Sequence, residues 1–237
     1  MSYIDDIHRI GNLTINEIIR ISNKYVPNRY KLEPWRYMDG QGRTLEHGTA
    51  VLETEEQCCA YMSAYGPMHR HKLMRALDEK EFPYSDLTGG IEIYDWGCGQ
   101  GIGTIAVIEK LRQHNMLRKL CKVVLEEPSN VARDRAVIHV KKALEDYNDV
   151  FADIINGLLF DGEQEIKPEA LENTTVHAQY KAEDNKVHEL ERDIEKYWKE
   201  EKVELAICGI ENQSIAEKNM PFRIIGYDGA AYRSQLQ

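Results

Sequence analysis

The sequence predicts an α/β protein: a helical region over residues 1–90, a short parallel sheet over 91–148, and a second α/β core over 149–237. Two observations predict this. Strand, glycine-rich turn, helix, strand and helix succeed one another between residues 91 and 145, the order that joins parallel strands by a crossover. The chain also changes character near its middle. Residues 1–150 hold 20 Lys and Arg against 22 Asp and Glu, a balance of −2, whereas residues 151–237 hold 10 against 18, a balance of −8. A chain of 237 residues suits one large domain or two small ones, so length alone does not decide between them.

The hydrophobic fraction of 42% and the negative mean hydropathy fit a water-soluble globular chain. No run approaches the roughly 20 apolar residues that span a bilayer, so no membrane partner is expected. The first ten residues carry Asp5 and Asp6 and no apolar core of a secretory signal, and a cytoplasmic address is expected. Five cysteines (Cys58, Cys59, Cys98, Cys121 and Cys208) form no CxxC pair, which argues for free thiols and against a structural zinc site. The acidic second half lacks the Lys and Arg that bind phosphates non-specifically, so nucleic-acid chemistry there needs metal ions to offset repulsion.

Along residues 4–26, Ile7, Ile10, Ile15, Ile18 and Ile19 space one or two short amphipathic helices, interrupted near Gly11 and with Ile21 at the margin of the stripe. Residues 28–49 are rich in turn formers and read as a loop or an irregular strand pair. Thr54, with Gln57 three residues on, caps a helix through Cys58, Tyr61 and Met62 that Gly66-Pro67 should break or kink. A second stretch over 68–80 turns Leu73, Met74 and Leu77 inward. His69 and His71 lie two apart on it, the wrong spacing for one helical face, which argues against metal ligation by the pair.

Ile91–Trp96 reads as a strand, 104–113 as a helix with Ile105, Ile108 and Leu111 inward, and 122–126 as a second strand. Ser129 caps a further helix through Ala132, Ala136, Val140, Ala143 and Leu144. Beyond it, 151–160 is a short amphipathic helix, 161–185 is polar and irregular, and Val203–Ile210 is a buried strand. Residues 190–199 suit either a helix or a strand paired with Val203–Ile210, and 220–236 reads as a helix.

The strand ending in Asp95-Trp96 runs into Gly97-Cys98-Gly99-Gln100-Gly101-Ile102-Gly103 and then a helix. Glycines there permit positive φ and close backbone approach, while the helix start offers unpaired N–H groups. The second strand ends in Glu126-Glu127-Pro128-Ser129, where a carboxylate can accept both ribose hydroxyls of an adenosine. The Asp-Trp-Gly-Cys-Gly-Gln-Gly run and the Glu-Pro-Ser ending resemble class I S-adenosylmethionine-dependent methyltransferases over residues 50–145. The resemblance implies a partial Rossmann-like sheet. In it Asp95 orients the methionine end, Gly97, Gly99 and Gly101 line the cofactor, and Glu127, or in its stead Glu126, holds the ribose. A dinucleotide site is the competing reading. Only two of the family's strands are recognisable, so cofactor binding is expected to outlast methyl transfer.

In the second half, Val203–Ile210 leads into Glu211-Asn212-Gln213-Ser214, and alternate residues of an extended chain share a face, so Glu211 and Gln213 point one way. Asp193 comes alongside if a hairpin returns it, and converging carboxylates call for a divalent cation such as Mg²⁺, which can activate water against a phosphodiester. The runs Phe151-Ala152-Asp153-Ile154-Ile155-Asn156-Gly157, Glu191-Arg192-Asp193, Gly209-Ile210-Glu211-Asn212-Gln213-Ser214 and Met220-Pro221-Phe222-Arg223, with Tyr227, resemble the Rpn family of recombination-promoting nucleases or putative transposases, of the PD-(D/E)XK nuclease fold. By that resemblance Asp193 and Glu211 bind the metal, Gln213 stands where a lysine usually steadies the attacking water, Asp153 is an accessory acid, and DNA is the substrate. Arg223 contacts phosphate or pairs with a carboxylate. Family members continue past this segment. The exposed edge of so short a sheet predicts a homodimer. Three readings follow: a nuclease or transposase-like enzyme with a methyltransferase-like segment in front, a cofactor-binding methyltransferase-like protein, and a non-catalytic fusion.

Overall fold

Hydroxyl caps set the starts of the N-terminal helices. Ser2 precedes α1 (Tyr3–His8), Thr14 precedes α2 (Ile15–Tyr25) and Thr54 precedes α3 (Glu55–Ala76), each side chain accepting a first-turn amide hydrogen. Gln57 ties the third cap further: its N–H donates to Thr54 Oγ1 at 3.1 Å, its Oε1 accepts from Glu53 N at 2.8 Å and its Nε2 donates to Thr44 O at 2.8 Å. The computed structural model describes residues 2–11, 13–78, 80, 82–145, 147–173, 177–181, 187–191, 194–200 and 203–210. It divides into two units, Met1–Val150 and Phe151–Gln237. The whole is a mixed α/β chain, mostly helical, with small sheets. Among the described residues no helix is long and apolar enough to cross a membrane.

In the first unit β1 (Ile91–Trp96), α4 (Ile102–Gln113), β2 (Leu120–Glu126) and α5 (Asn130–Glu145) follow in order, and the two strands pair in parallel with Asp95 opposite Leu125 and Trp96 opposite Glu126. Among the described residues this sheet has two strands rather than a full Rossmann set. Its core joins Ile7, Ile15, Ile18 and Ile21 of the first helices to Cys59 and Met62 of α3, Ile105, Ile108 and Leu111 of α4, and Val140 and Ala143 of α5. Along β1 the residues alternate, with Ile91, Ile93 and Asp95 half-buried and Glu92, Tyr94 and Trp96 exposed, as a strand covered on one face requires.

Two sequence expectations are corrected in this unit. Ile21 is fully buried while Ile19 is only partly so, because α2 starts afresh at Ile15 and its inward phase runs Ile15, Ile18, Ile21 and Ser22. Gly66-Pro67 does not end a helix, for α3 continues through Pro67 to Ala76. Proline forfeits a backbone hydrogen bond there, a cost of about 3 kcal/mol in a helix interior. That cost is offset by burial on both sides of it, Cys59 and Met62 before and Leu73 and Met74 after, all against one core. Gly66 is required by packing. A Cβ there would lie 2.9 Å from both Ile19 Cγ1 and Met62 Sδ. The turn-rich stretch 28–49 forms short 3-10 turns and one antiparallel bridge, Met38 to Thr44.

The second unit carries most of α6 (Asn148–Leu159), then β3 (Leu171–Asn173), β4 (His177–Lys181), β5 (Val187–Glu191), β6 (Ile194–Glu200) and β7 (Val203–Ile210). β3, β6 and β7 make an antiparallel sheet, and β4 with β5 a hairpin. Phe151, Ala152 and Ile155 of α6 pack with Ile166, Leu171, Phe160, Trp198 and Cys208. Asn156, fully buried, clamps the chain after the helix by donating from Nδ2 to Ile166 O and accepting Ile166 N–H at Oδ1, both at 2.9 Å.

Here too the structure corrects the sequence reading. Residues 161–185, expected to be irregular, contain β3, β4 and a 3-10 turn at Pro168–Ala170. The two-way reading of 190–199 resolves as strand: Leu190 belongs to β5, and Ile194–Glu200 pairs with Val203–Ile210. Cross-strand pairing overrides the helical spacing of Leu190, Ile194 and Tyr197. The helix expected over 220–236 lies outside the described residues.

Candidate functional site

The site is built where two parallel strands end side by side. The chain leaves β1 through a loop that folds back on the end of β2, with Gly97 N and Cys98 N donating to Glu126 O at 2.7 and 3.0 Å and Gly101 N to Cys98 O at 2.8 Å. This requires left-handed backbone at Gly97, Gly99 and Gly101, whose φ values are 71°, 53° and 79°. The three glycines have different surroundings. A Cβ on Gly97 or Gly99 would meet nothing within 4 Å, whereas one on Gly101 would lie 3.1 Å from Cα and Cβ of Ala136 on α5. Gly101 therefore serves close packing, and Gly97 and Gly99 border open space.

Each strand contributes a carboxylate. Asp95 Oδ2 accepts from Thr104 N at 3.2 Å and Thr104 Oγ1 at 2.8 Å, so the acid of β1 caps the first turn of α4. Glu127 follows β2; its Oε2 accepts the Gly99 amide hydrogen at 2.9 Å and its Oε1 that of Ser129 at 3.0 Å. Glu126 points outward and is exposed. Ser129 is buried, donates to Leu52 O and accepts Ala132 N–H at 3.0 Å, which caps α5 and fixes the exit of β2 against the chain before α3. An ionised carboxylate offers about four acceptor positions. Glu127 uses two, one on each oxygen, and so retains capacity for a vicinal diol.

The electrostatics sort ligands by charge. A helix start ordinarily attracts phosphate. Here Asp95 already occupies it with a negative charge, and Glu127 adds a second at the loop. That combination repels a pyrophosphate and accommodates a cation. Burial, then the charges of Asp95 and Glu127, push the Cys98 thiol up to about 11, so this loop cysteine stays protonated and is no nucleophile near neutral pH. Tyr61 on α3 is raised by burial and by the neighbouring Tyr65 and Glu127.

A buried polar cluster that the sequence reading missed backs the loop. His139 Nδ1 lies 2.8 Å from Gln100 O and its Nε2 lies 2.9 Å from Tyr3 OH, and Gln100 Nε2 donates to Cys58 O at 2.9 Å. Arg135, 1% exposed, holds its guanidinium 3.5 Å from the Tyr3 ring centroid and 3.5 Å from Cys59 Sγ. A signal for two of these residues exists in the sequence. Arg135 and His139 fall in phase with Ala132, Ala136, Val140 and Ala143 on the buried stripe of α5. Burial and the charge of Arg135 push His139 down to about 3, so its ring is neutral.

Of the residues assigned to the second half, Asp153 stands on α6 and is exposed, away from the buried face of Phe151, Ala152, Ile155 and Asn156. Asp193, Glu211, Gln213, Arg223 and Tyr227 lie outside the described residues. Among the described residues no group of three or more His, Cys, Asp or Glu is arranged to hold a metal. His69 packs on Tyr61 with ring centroids 6.0 Å apart, and His71 is exposed.

A strand, a glycine loop and a helix thus stand together with two carboxylates, Asp95 near the end of β1 and Glu127 just after β2. Comparison with protein-family models, curated proteins and solved structures returned no match.

Proposed function

We propose that residues 91–148 bind S-adenosylmethionine as a class I methyltransferase-like segment, joined to an Rpn-like, metal-dependent nuclease segment. The observation that carries the cofactor reading is the capping of α4 by Asp95. A negative charge at that helix start disfavours a dinucleotide pyrophosphate and suits a sulfonium ligand. Glu127 holds the ribose hydroxyls on its remaining lone pairs, while Gly97 and Gly99 leave room for the ligand. The bound cofactor would supply an electrophilic methyl group; the chain supplies orientation. Titration calorimetry with S-adenosylmethionine and with NAD⁺ tests this. Saturable binding of the first and not the second supports it, and absence of binding at millimolar S-adenosylmethionine removes it.

The nuclease reading has its own support. β6 pairs with β7 so that Ile194 lies opposite Ile210, and in the sequence Asp193 is the residue before Ile194 while Glu211 is the residue after Ile210. Under this reading the two acids hold Mg²⁺ at the open end of the hairpin, Gln213 orients the attacking water, Asp153 assists, and DNA is the substrate. Magnesium-dependent nicking of plasmid DNA that disappears in Asp193→Ala and in Glu211→Ala supports it. Nicking unchanged in both variants removes it, leaving a cofactor-binding protein or a non-catalytic fusion.

A further inference from the structure

We infer that Tyr3 and His139 are positioning residues for the glycine loop, so that α1, the first helix of the chain, sets the conformation in which the loop receives its ligand. The functional half of this inference rests on the cofactor reading above.

Gln100 is the residue between Gly99 and Gly101, and it is held from two sides. Its carbonyl meets His139 Nδ1 at 2.8 Å, and its side-chain amide donates to Cys58 O at 2.9 Å. A carbonyl can only accept, so Nδ1 carries the ring hydrogen, and Nε2, with its lone pair free, accepts from Tyr3 OH at 2.9 Å. Tyr3 is itself fixed: the Arg135 guanidinium lies on its ring face and the Tyr25 ring packs against it with centroids 5.8 Å apart. Tyr3, His139 and Gln100 are all buried, at 6%, 0% and 3% exposure, so water does not readily replace any bond in the chain. The open side of the loop at Gly97 and Gly99 thus contrasts with a back wall tied to three helices. α1 has only six residues, and Tyr3 at its start carries the hydroxyl that meets His139. An apolar residue at position 139 would leave the buried Gln100 carbonyl without this partner. The donor and acceptor order found there matches the loop carbonyl.

The test combines amide hydrogen exchange over residues 97–103 with S-adenosylmethionine titration of the full chain. Tyr3→Phe keeps the ring and removes the hydroxyl. It is expected to speed exchange over 97–103 by about tenfold, to leave exchange in α2 unchanged, and to weaken cofactor binding by about tenfold, the scale of one net hydrogen bond. His139→Asn, whose amide nitrogen falls near the Nδ1 position, is expected to retain more loop protection than His139→Leu. Exchange over 97–103 that is unaltered in Tyr3→Phe, or equal in the two His139 variants, overturns the inference. The exchange arm needs no ligand. A wild-type chain that binds no S-adenosylmethionine therefore removes the cofactor reading, while loop exchange still decides the positioning role.

Discussion

Glu127 Oε2 accepts the amide hydrogen of Gly99 at 2.9 Å, a bond between the residue that follows β2 and the middle of the loop that follows β1. The parallel register makes it possible, because Trp96 opposite Glu126 brings both strand ends to one level. Loop shape and the position of the proposed ribose-binding acid are therefore one structural feature, and a change at either is felt at the other.

The glycines should separate by their surroundings. Gly101→Ala sets a Cβ 3.1 Å from the Ala136 backbone at a φ of 79°, and is expected to cost about 1–3 kcal/mol of stability in urea unfolding. Gly99→Ala meets no neighbour and carries the left-handed strain alone, about 1 kcal/mol. Equal destabilisation in the two variants contradicts the packing role of Gly101.

Acid stability should report on His139. Its folded pKa, about 3, lies below the ordinary 6.5, so the unfolded chain takes up the proton first. Stability from this group is fully present above about pH 6.5 and is lost as pH falls toward 3, with a slope of about 1.4 kcal/mol per pH unit. His139→Asn cannot titrate, and is expected to flatten the stability profile between pH 6 and pH 4. Thermal melts across that range check the difference, and parallel profiles for the two proteins count against a buried neutral imidazole.

In the second unit, Asn156→Ala strands the buried N–H and C=O of Ile166 at once. The expected cost is roughly 2–4 kcal/mol, read as a lower urea midpoint for the second unit by the fluorescence of Trp198 in a Trp35→Phe, Trp96→Phe background. A midpoint shifted by less than a few tenths molar would show that water satisfies both groups.

The sequence makes the loop and its two strands legible because they obey local rules: β-branched runs, glycines where φ is positive, and Ser129 as a helix cap. What escapes it is set by partners remote in the chain. Pro67 reads as a break or a kink because its penalty is local, and the break does not occur because Met62, Leu73 and Met74 hold α3 on the core from either side. β4 is polar, His-Ala-Gln-Tyr-Lys, and owes its strand to pairing with β5 rather than to its own pattern. At the site, Asp95 and Glu127 announce themselves as acids ending strands. Gln100 does not, and His139 shows only its phase on the buried stripe of α5, since Tyr3 lies 136 residues from His139 and Cys58 lies 42 from Gln100.

The most direct measurement is the affinity of Glu127→Ala for S-adenosylmethionine against that of the wild-type chain, with folding verified by circular dichroism. Losing a charged acceptor for two ribose hydroxyls is expected to weaken binding about 100-fold, roughly 2.8 kcal/mol. Binding of equal strength in the two proteins would contradict an adenosyl cofactor held between Glu127 and the glycine loop.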